Sequence, residues 1–177
     1  MVIRTKEPPW DVEAPRAVLK DLAQGGVIPA RIDRVELSRG LPLVEVQASS
    51  FRNALTAPDE PTAFRYLLLG TDYVAQIDLR TGDSPKWLGS AEGEEPIALL
   101  ESCQRAEALA TGGEHEAWIV DLTDIDLSYL LLAGESARLL RLAGYSEVPI
   151  SPEEATAAVL GRAAWRAGQS AETVWES

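Results

Sequence analysis

The stretch that decides the fold is Arg65–Gly89, "RYLLLGTDYVAQIDLRTGDSPKWLG". Two apolar runs, Tyr66–Leu69 and Tyr73–Leu79, stand on either side of Gly-Thr-Asp, and the second run leads into Arg-Thr-Gly-Asp-Ser-Pro. Alternating apolar and polar residues are typical of a strand, and glycine, aspartate and proline between apolar runs are typical of tight turns. The stretch therefore predicts a three-stranded antiparallel meander around residues 66–88.

Four polar residues of this stretch have two possible roles: they could be turn residues, or they could form a site for a metal, a phosphate or a substrate. They are Asp72, Asp78, Thr81 and Asp83. Aspartate side chains bond nearby backbone N–H groups in turns, which explains these residues without any ligand. We interpret them as turn residues.

The composition bounds the class of protein. The chain has 177 residues, 46% of them hydrophobic, which is enough to bury a core. No apolar run approaches the roughly 20 residues of a membrane-spanning helix, and the N-terminus lacks the apolar centre of a secretory signal. Cys103 is the single cysteine, which excludes an internal disulfide and fits a reducing compartment. We expect a cytoplasmic protein with no membrane segment and one domain over residues 1–177.

The net charge of −12 is distributed unevenly along the chain. Residues 1–90 carry 11 Lys and Arg against 12 Asp and Glu, whereas residues 91–177 carry 5 against 16. Nucleic acids bind through Lys and Arg that neutralise phosphates, so the acidic half argues against a nucleic-acid ligand. The same excess could attract a basic protein partner, or it could serve solubility alone.

Helical periodicity and capping residues occur on both sides of the meander. The spacing predicts helices over Pro15–Ala23, from Pro96 onward after an acidic linker "SAEGEEP", and around Ser136–Ala143. Ser151, Pro152 and Glu154 form a capping box that predicts the start of the last helix.

Two further segments, Leu41–Ala48 and Ala117–Leu122, predict strands. The whole pattern predicts an α+β fold, in which a mainly antiparallel sheet is flanked by helices. Residues 114–177 are predicted to form a mostly helical C-terminal extension.

The chain lacks the residue sets of common active sites. His115 is the only histidine, which excludes a zinc site with several imidazoles, and "EHE" around it predicts a charged surface loop. Cys103 has no nearby activating group and is predicted to be a small buried residue of a helix. Phosphate-binding glycine motifs and the GxSxG motif are absent. We expect no enzymatic activity and no cofactor.

Three aspartates within six residues, Asp121, Asp124 and Asp126, could ligate Mg²⁺ or Ca²⁺. The spacing and the glycine of an EF-hand loop are missing, and a solvated strand end or a helix N-terminus explains the aspartates as well. We predict no metal site. The five tryptophans, at positions 10, 87, 118, 165 and 175, are predicted to be core or interface anchors.

Several short motifs together resemble one known family. They are Gly40-Leu41-Pro42, a strand ending at Gly70, and a second strand ending in the turn Asp78-Leu79-Arg80-Thr81-Gly82, followed by a helix. Over residues 34–110 this arrangement resembles the SUKH superfamily, especially its fourth group of bacterial immunity-type proteins. The family's Asn-Ser-Ser approach to the helix is replaced here by "GEEPIAL", and residues 114–177 carry no matching motif.

The resemblance implies an α+β fold without catalytic activity that binds a toxin domain, often a nuclease or a deaminase. Our hypothesis is therefore a non-enzymatic module that neutralises a basic protein partner by occlusion. The candidate contact residues are Glu92, Glu94, Glu95, Glu114, Glu116, Asp121, Asp124 and Asp126.

Two alternatives remain open at this point. The chain could be an accessory or scaffold subunit of a bacterial biosynthetic or secretion assembly that binds through apolar patches with Trp165 or Trp175. It could also be an enzyme that uses the three clustered aspartates with a divalent ion.

Overall fold

The computed structural model describes residues 3–28, 35–56, 60–109, 115–134, 137–142 and 150–173. The strands are β1 (Ile3–Arg4), β2 (Glu36–Leu37), β3 (Leu41–Glu45), β4 (Ala63–Leu69), β5 (Val74–Arg80), β6 (Lys86–Glu92), β7 (His115–Leu122), β8 (Leu127–Ala133) and β9 (Arg138–Arg141). The helices are α1 (Glu13–Gln24), α2 (Phe51–Thr56), α3 (Glu94–Leu109) and α4 (Pro152–Thr173), and a 3-10 turn at Ala48–Ser50 precedes α2.

The strands form one sheet in the order β6-β5-β4-β3-β7-β8-β9. The two short strands lie off this path, β1 against β7 and β2 against β4. Only the pairs β3–β7 and β1–β7 are parallel, and the other pairs of described strands are antiparallel. The predicted α+β fold with a mainly antiparallel sheet flanked by helices is confirmed.

The predicted meander is the run β4–β5–β6. Leu69 pairs with Val74 at the end of the first hairpin, and the Gly70 N–H donates to the Tyr73 carbonyl at 2.8 Å. Ala75, Ile77 and Leu79 pack in one apolar cluster, whereas Asp78 lies on the opposite face, as the alternation predicts. Helices cover both faces of the sheet, so that β5 is more deeply buried than a strand with one solvated face.

Helices pack on both faces and make three layers. On one face, α1 packs over Phe64 and Ile77, while α2 and α4 pack over residues of β7 and β8 such as Val120 and Leu131. On the other face, Leu99 of α3 packs against Leu43, Leu67, Ile119 and Leu130. The strands β4 and β7 are apolar on both faces, as strands buried between two helical layers must be.

The acidic linker predicted between the meander and the following helix does not exist. β6 continues to Glu92, and α3 begins at Glu94. The single residue between them, Gly93, has a φ of +92°, which glycine adopts without strain. The chain therefore turns directly from the edge strand onto the sheet, and the acidic residues of this segment lie in regular structure.

The prediction of a mostly helical extension over residues 114–177 was wrong. β7 lies in the middle of the sheet, β8 and β9 follow it, and α4 is the one helix in the described part of this segment. The helix predicted around Ser136–Ala143 was also wrong, because Arg138–Arg141 is a strand paired with β8. Leu139 and Leu140 are buried in the clusters on opposite faces, which a strand between two helical layers achieves and a helix does not.

The predicted capping box is confirmed. The Ser151 N–H donates to Glu154 Oε2 at 2.8 Å, and the Glu154 N–H donates to Ser151 Oγ at 3.2 Å. Among the described residues, no helix is long and apolar enough to cross a membrane.

Candidate functional site

The most unusual side chain in the sheet is Arg65, in the interior strand β4. It is 4% exposed, and its guanidinium makes a two-pronged contact with Asp78, at 2.7 Å from Nε to Oδ1 and 2.8 Å from Nη2 to Oδ2. The antiparallel register of β4 and β5 places these two residues directly opposite each other. A buried charge is tolerated when it is paired and hydrogen-bonded, and this geometry provides both conditions.

Two more carboxylates converge on the same guanidinium. Glu95 Oε1, from the first turn of α3, lies 3.4 Å from Nη1, and Asp121 Oδ2, from β7, lies 3.7 Å from Nη2. Gln76 Nε2 donates to Glu95 at 2.8 Å, and Ser128 Oγ donates to Asp121 at 2.7 Å. We refer to Arg65, Gln76, Asp78, Glu95, Asp121 and Ser128 as the Arg65 cluster.

The Arg65 cluster carries more negative charge than its one cation neutralises. Three carboxylates face one guanidinium, which leaves a net charge of −2 if all are ionised. Burial alone would lower the pKa of Arg65, but the hydrogen bonds and charge of Asp78 raise it, as do the charges of Asp121 and Glu95.

The pKa of Asp121 is raised in this environment. Burial raises the pKa of Asp121 above its ordinary value, and the like charges of Asp78 and Glu95 raise it further. The hydrogen bond from Ser128 and the charge of Arg65 oppose this shift without cancelling it. A further cation near Asp121 would therefore stabilise its charged form.

The outer side of the cluster is open to solvent. The side chains of Glu95 and Asp121 are 47% and 23% exposed. Glu45 pairs in register with Asp121 and is exposed, and so is Glu94, which precedes Glu95. We refer to Glu45, Glu94, Glu95 and Asp121 as the acidic surface. Glu95 and Asp121 contact the buried guanidinium, as does Asp78, whereas Glu45 adjoins Asp121 in the sheet and Glu94 adjoins Glu95 in α3.

The structure brings together only some of the eight predicted contact residues. Glu95 and Asp121 meet at the guanidinium of Arg65, and Glu94 precedes Glu95 in the first turn of α3. Glu92 pairs with Ala75, whose side chain belongs to the α1-side core, and its carboxylate accepts a hydrogen bond from Tyr73 Oη at 2.8 Å.

The remaining predicted contact residues lie elsewhere. Glu116 is at the opposite end of β7 from Asp121. Asp124 accepts hydrogen bonds from the Ala48 N–H at 3.1 and 3.2 Å, and Asp126 lies 3.6 Å from Arg166. Glu114 lies outside the described residues.

The three clustered aspartates, Asp121, Asp124 and Asp126, bind different partners and do not converge. Across the described residues, there is no group of three His, Cys, Asp or Glu side chains arranged to hold a metal ion. The positive φ of 56° at Asp126 is the backbone signature of a tight turn between β7 and β8.

Five residues of the site were not predicted from the sequence, namely Glu45, Arg65, Gln76, Asp78 and Ser128. Asp78 was interpreted as a turn residue, but it lies inside β5 and its carboxylate binds Arg65. Of the other presumed turn residues, Asp72 and Asp83 are exposed and Thr81 Oγ1 donates to the Pro61 and Thr62 carbonyls at 3.1 Å. Asp72 and Asp83 thus lie in the turns of the meander, whereas Thr81 binds the segment that precedes β4.

The isolated histidine and cysteine lie outside the Arg65 cluster. His115 is the first residue of β7 and is half-buried, so the prediction of a surface loop was wrong. Its Nδ1 is buried and has no hydrogen-bond partner within the described residues. Cys103 lies inside α3 as predicted, and burial together with the nearby charge of Glu107 raises the pKa of its thiol to about 12.

The tryptophans divide into core and surface residues. Trp118 is buried, and Trp10 packs edge-on against Phe64. Trp87 and Trp165 are exposed, the latter beneath the guanidinium of Arg162. Trp175 lies outside the described residues.

No known family model, curated protein or solved structure matches this chain. The resemblance to the SUKH superfamily therefore stays a prediction.

Proposed function

We propose that this protein is a non-enzymatic binding module of the bacterial immunity type, which neutralises a toxin domain by covering a basic region of it. The observation that carries the proposal is the set of three carboxylates, those of Asp78, Glu95 and Asp121, that face the one guanidinium of Arg65, with the exposed Glu45 and Glu94 next to them in the sheet and in α3. This arrangement leaves a fixed excess of negative charge at a single place on the surface.

The acidic surface is well suited to a cationic partner because its carboxylates are already held in place. Ser128 holds the side chain of Asp121 in place, and Gln76 holds that of Glu95. These two side chains would therefore lose little conformational entropy when a partner binds. A Lys or Arg from the partner would offset the mutual repulsion of Glu95, Asp121 and Asp78. Charge complementarity of this kind raises association rates and selects the partner.

A nuclease or deaminase domain is a suitable class of partner. Enzymes that act on nucleic acid hold their substrate with Lys and Arg, and an acidic protein can occupy the same surface. The resemblance over residues 34–110 independently implies a partner of this class.

The test is a pull-down of the product of the neighbouring gene, measured at about 50 mM and about 500 mM NaCl, since salt screens exposed charges. We expect retention at low salt and strong loss at high salt. The variant Glu45→Gln/Glu94→Gln removes two exposed charges of the acidic surface and should weaken binding by at least about tenfold. The matched control Asp21→Asn/Asp72→Asn removes two exposed charges from α1 and from the β4–β5 turn, and it should bind like the wild type.

Equal loss of binding in both double variants would mean that net charge acts without a specific surface, and the proposal would be wrong. Failure to retain the neighbouring product at either salt concentration would count against an immunity role.

A second candidate function rests on the exposed apolar residues of α4. Leu160 and Trp165 are 56% and 51% exposed, as an accessory or scaffold subunit that binds through apolar contacts would require. Association of that kind would survive about 500 mM NaCl and would be lost in the Trp165→Ala variant.

A further inference from the structure

A cavity of about 660 Å³ lies on the face of the sheet opposite the Arg65 cluster. It is half open to solvent and is lined by the segment that connects β1 to α1, by the first turn of α1, and by the connection from β2 to β3. The sheet has a gap at this place. Beyond the start of β3, β4 pairs with β2 while β7 pairs with β1, and these two short strands do not pair with each other. The fold thus leaves space here that no described side chain fills.

The floor of the cavity is aromatic and firmly held. Trp10 packs against Phe64 with ring centroids 5.7 Å apart, and its Nε1 donates to Tyr66 Oη at 3.0 Å. The Tyr66 ring lies so close to the backbone of Gly40 that a Cβ at that position would be 2.8 Å from Cζ. Glycine at position 40 is therefore what allows the phenol to reach the cavity wall.

The hydroxyl of Tyr66 has an unused hydrogen-bond donor. Tyr66 is 4% exposed, and its Oη accepts from Trp10, but no acceptor for its own proton lies among the described residues. A buried donor without an acceptor costs free energy, and a ligand oxygen in the cavity would satisfy it. A tyrosine with the ordinary pKa of 10.0 is protonated at neutral pH, and burial raises the pKa of Tyr66 further, so its hydroxyl keeps its proton.

Several charged side chains line the cavity. Arg4, Arg16 and Arg39 line it, together with Glu7 and Asp11. Asp11 Oδ1 already accepts hydrogen bonds from the Glu13 and Ala14 N–H groups, both at 3.0 Å, at the start of α1. The lining carries three positive against two negative side chains, and one of the negative ones is engaged by the helix.

We propose that this cavity binds a small organic oxyanion with a flat apolar body. The body would lie against Trp10 and Tyr66, and the oxyanion would accept hydrogen bonds from Tyr66 and from the exposed side chains of Arg16 and Arg39. Arginine donors suit carboxylate, sulfonate and phosphate groups equally, so the shared chemistry is an oxyanion. The site is independent of the acidic surface, which lies on the other face of the sheet.

The test uses two fluorescent probes with the same apolar body. 1-Anilinonaphthalene-8-sulfonate carries an anionic group, and N-phenyl-1-naphthylamine is its uncharged counterpart. We expect saturable binding of the sulfonate with a stoichiometry of one. The Arg16→Gln/Arg39→Gln variant should weaken sulfonate binding by about tenfold or more and change binding of the uncharged probe less than about twofold.

Two further variants complete the test. Tyr66→Phe keeps the ring and removes the donor, and it should weaken sulfonate binding about fivefold. The matched control Arg80→Gln/Arg138→Gln removes two exposed arginines outside the cavity and should leave sulfonate binding unchanged.

Sulfonate binding that is equal in the wild type and in the Arg16→Gln/Arg39→Gln variant would overturn the proposal. So would an equal loss in the Arg80→Gln/Arg138→Gln control. All of these variants should retain the neighbouring gene product in the pull-down as the wild type does. Failure of this proposal is therefore distinguishable from failure of the immunity function.

Discussion

Arg65 and Asp78 lie directly opposite each other on β4 and β5 and share two hydrogen bonds of 2.7 and 2.8 Å. Because Asp78, Glu95 and Asp121 all depend on this one guanidinium, its removal would leave three carboxylates without compensation. We expect Arg65→Met to destabilise the fold by about 3–5 kcal/mol, the usual cost of breaking a buried ion pair by removing one partner. Urea denaturation at neutral pH measures this change.

A matched control for that substitution is Arg80→Met, at the end of β5, where the arginine is exposed. Surface substitutions of this kind usually change stability by less than about 0.5 kcal/mol. Similar stability losses at positions 65 and 80 would contradict the role given to the buried guanidinium.

The raised pKa of Asp121 predicts how partner binding depends on pH. Asp121 takes up a proton at a higher pH than an aspartate with the ordinary value of 3.8, so the acidic surface loses charge early as the pH falls. We expect affinity for the basic partner to decrease as the pH falls, and to begin to do so above the pH range in which an ordinary aspartate titrates. The Asp121→Asn variant should bind more weakly at neutral pH and show a flatter pH dependence.

The expected loss of affinity at low pH is not caused by unfolding, because protonation of Asp121 does not destabilise the folded chain. Because its pKa is higher in the folded than in the unfolded chain, its contribution to stability is present below the unfolded value and is lost as the pH rises through the folded value. Circular dichroism over the same pH range separates the two effects. A binding profile identical in wild type and Asp121→Asn would rule out this carboxylate as the titrating group.

The capping box of α4 predicts a stability change at Ser151. Removing its hydroxyl in Ser151→Ala leaves the Glu154 N–H without its acceptor and should cost about 1 kcal/mol in the free energy of unfolding. Ser151→Asp keeps a capping oxygen and should retain most of the stability. If the alanine and aspartate variants unfold at the same urea concentration, the cap does not contribute.

The same capping box makes the stability of the fold depend on pH, and the pKa of Glu154 gives the sign of this dependence. Hydrogen bonds from Ser151 lower the pKa of Glu154 below its ordinary 4.5. Its stabilisation is therefore present above the unfolded pKa and disappears as the pH falls through the folded value. Ser151→Ala should reduce this acid-dependent loss.

The thiol of Cys103 should react slowly in the folded protein. Its pKa of about 12 keeps it protonated at pH 8, and alkylation requires the thiolate. We expect alkylation by iodoacetamide to be at least about a hundredfold slower than in the urea-unfolded chain, where the thiol has an ordinary pKa near 9. Equal rates in the two states would show that the thiol is not buried.

The local features of the fold were predictable because local chemistry determines them. Gly70 and Gly82 mark the turns of the meander, and the Ser151–Glu154 box marks a helix start. The strand β9 was not predictable from its own residues, because "RLLRL" suits a helix and only pairing with β8 makes it a strand. The position of β7 in the centre of the sheet depends on parallel pairing with β3, which no local pattern indicates.

The site was predictable in part. The turn at Gly70 sets the hairpin register, and continuing that register places Arg65 opposite Asp78, so this pair could have been found from the sequence. Its contacts with Glu95 and Asp121 could not, because they require α3 to cross the sheet and β7 to join β3. The uneven charge of the two halves was a poor guide, since Glu45 and Asp78 come from the more balanced half.

The parallel pairing of β3 with β7 has a consequence for biosynthesis. β4, β5, β6 and α3 all leave the ribosome before β7 does, so a nascent chain that ends within α3 exposes the edge of β3 and the apolar residues that β7 later covers. Such an intermediate is prone to aggregate, as unpaired strand edges generally are. We therefore expect chaperone association during synthesis to persist until β7 emerges.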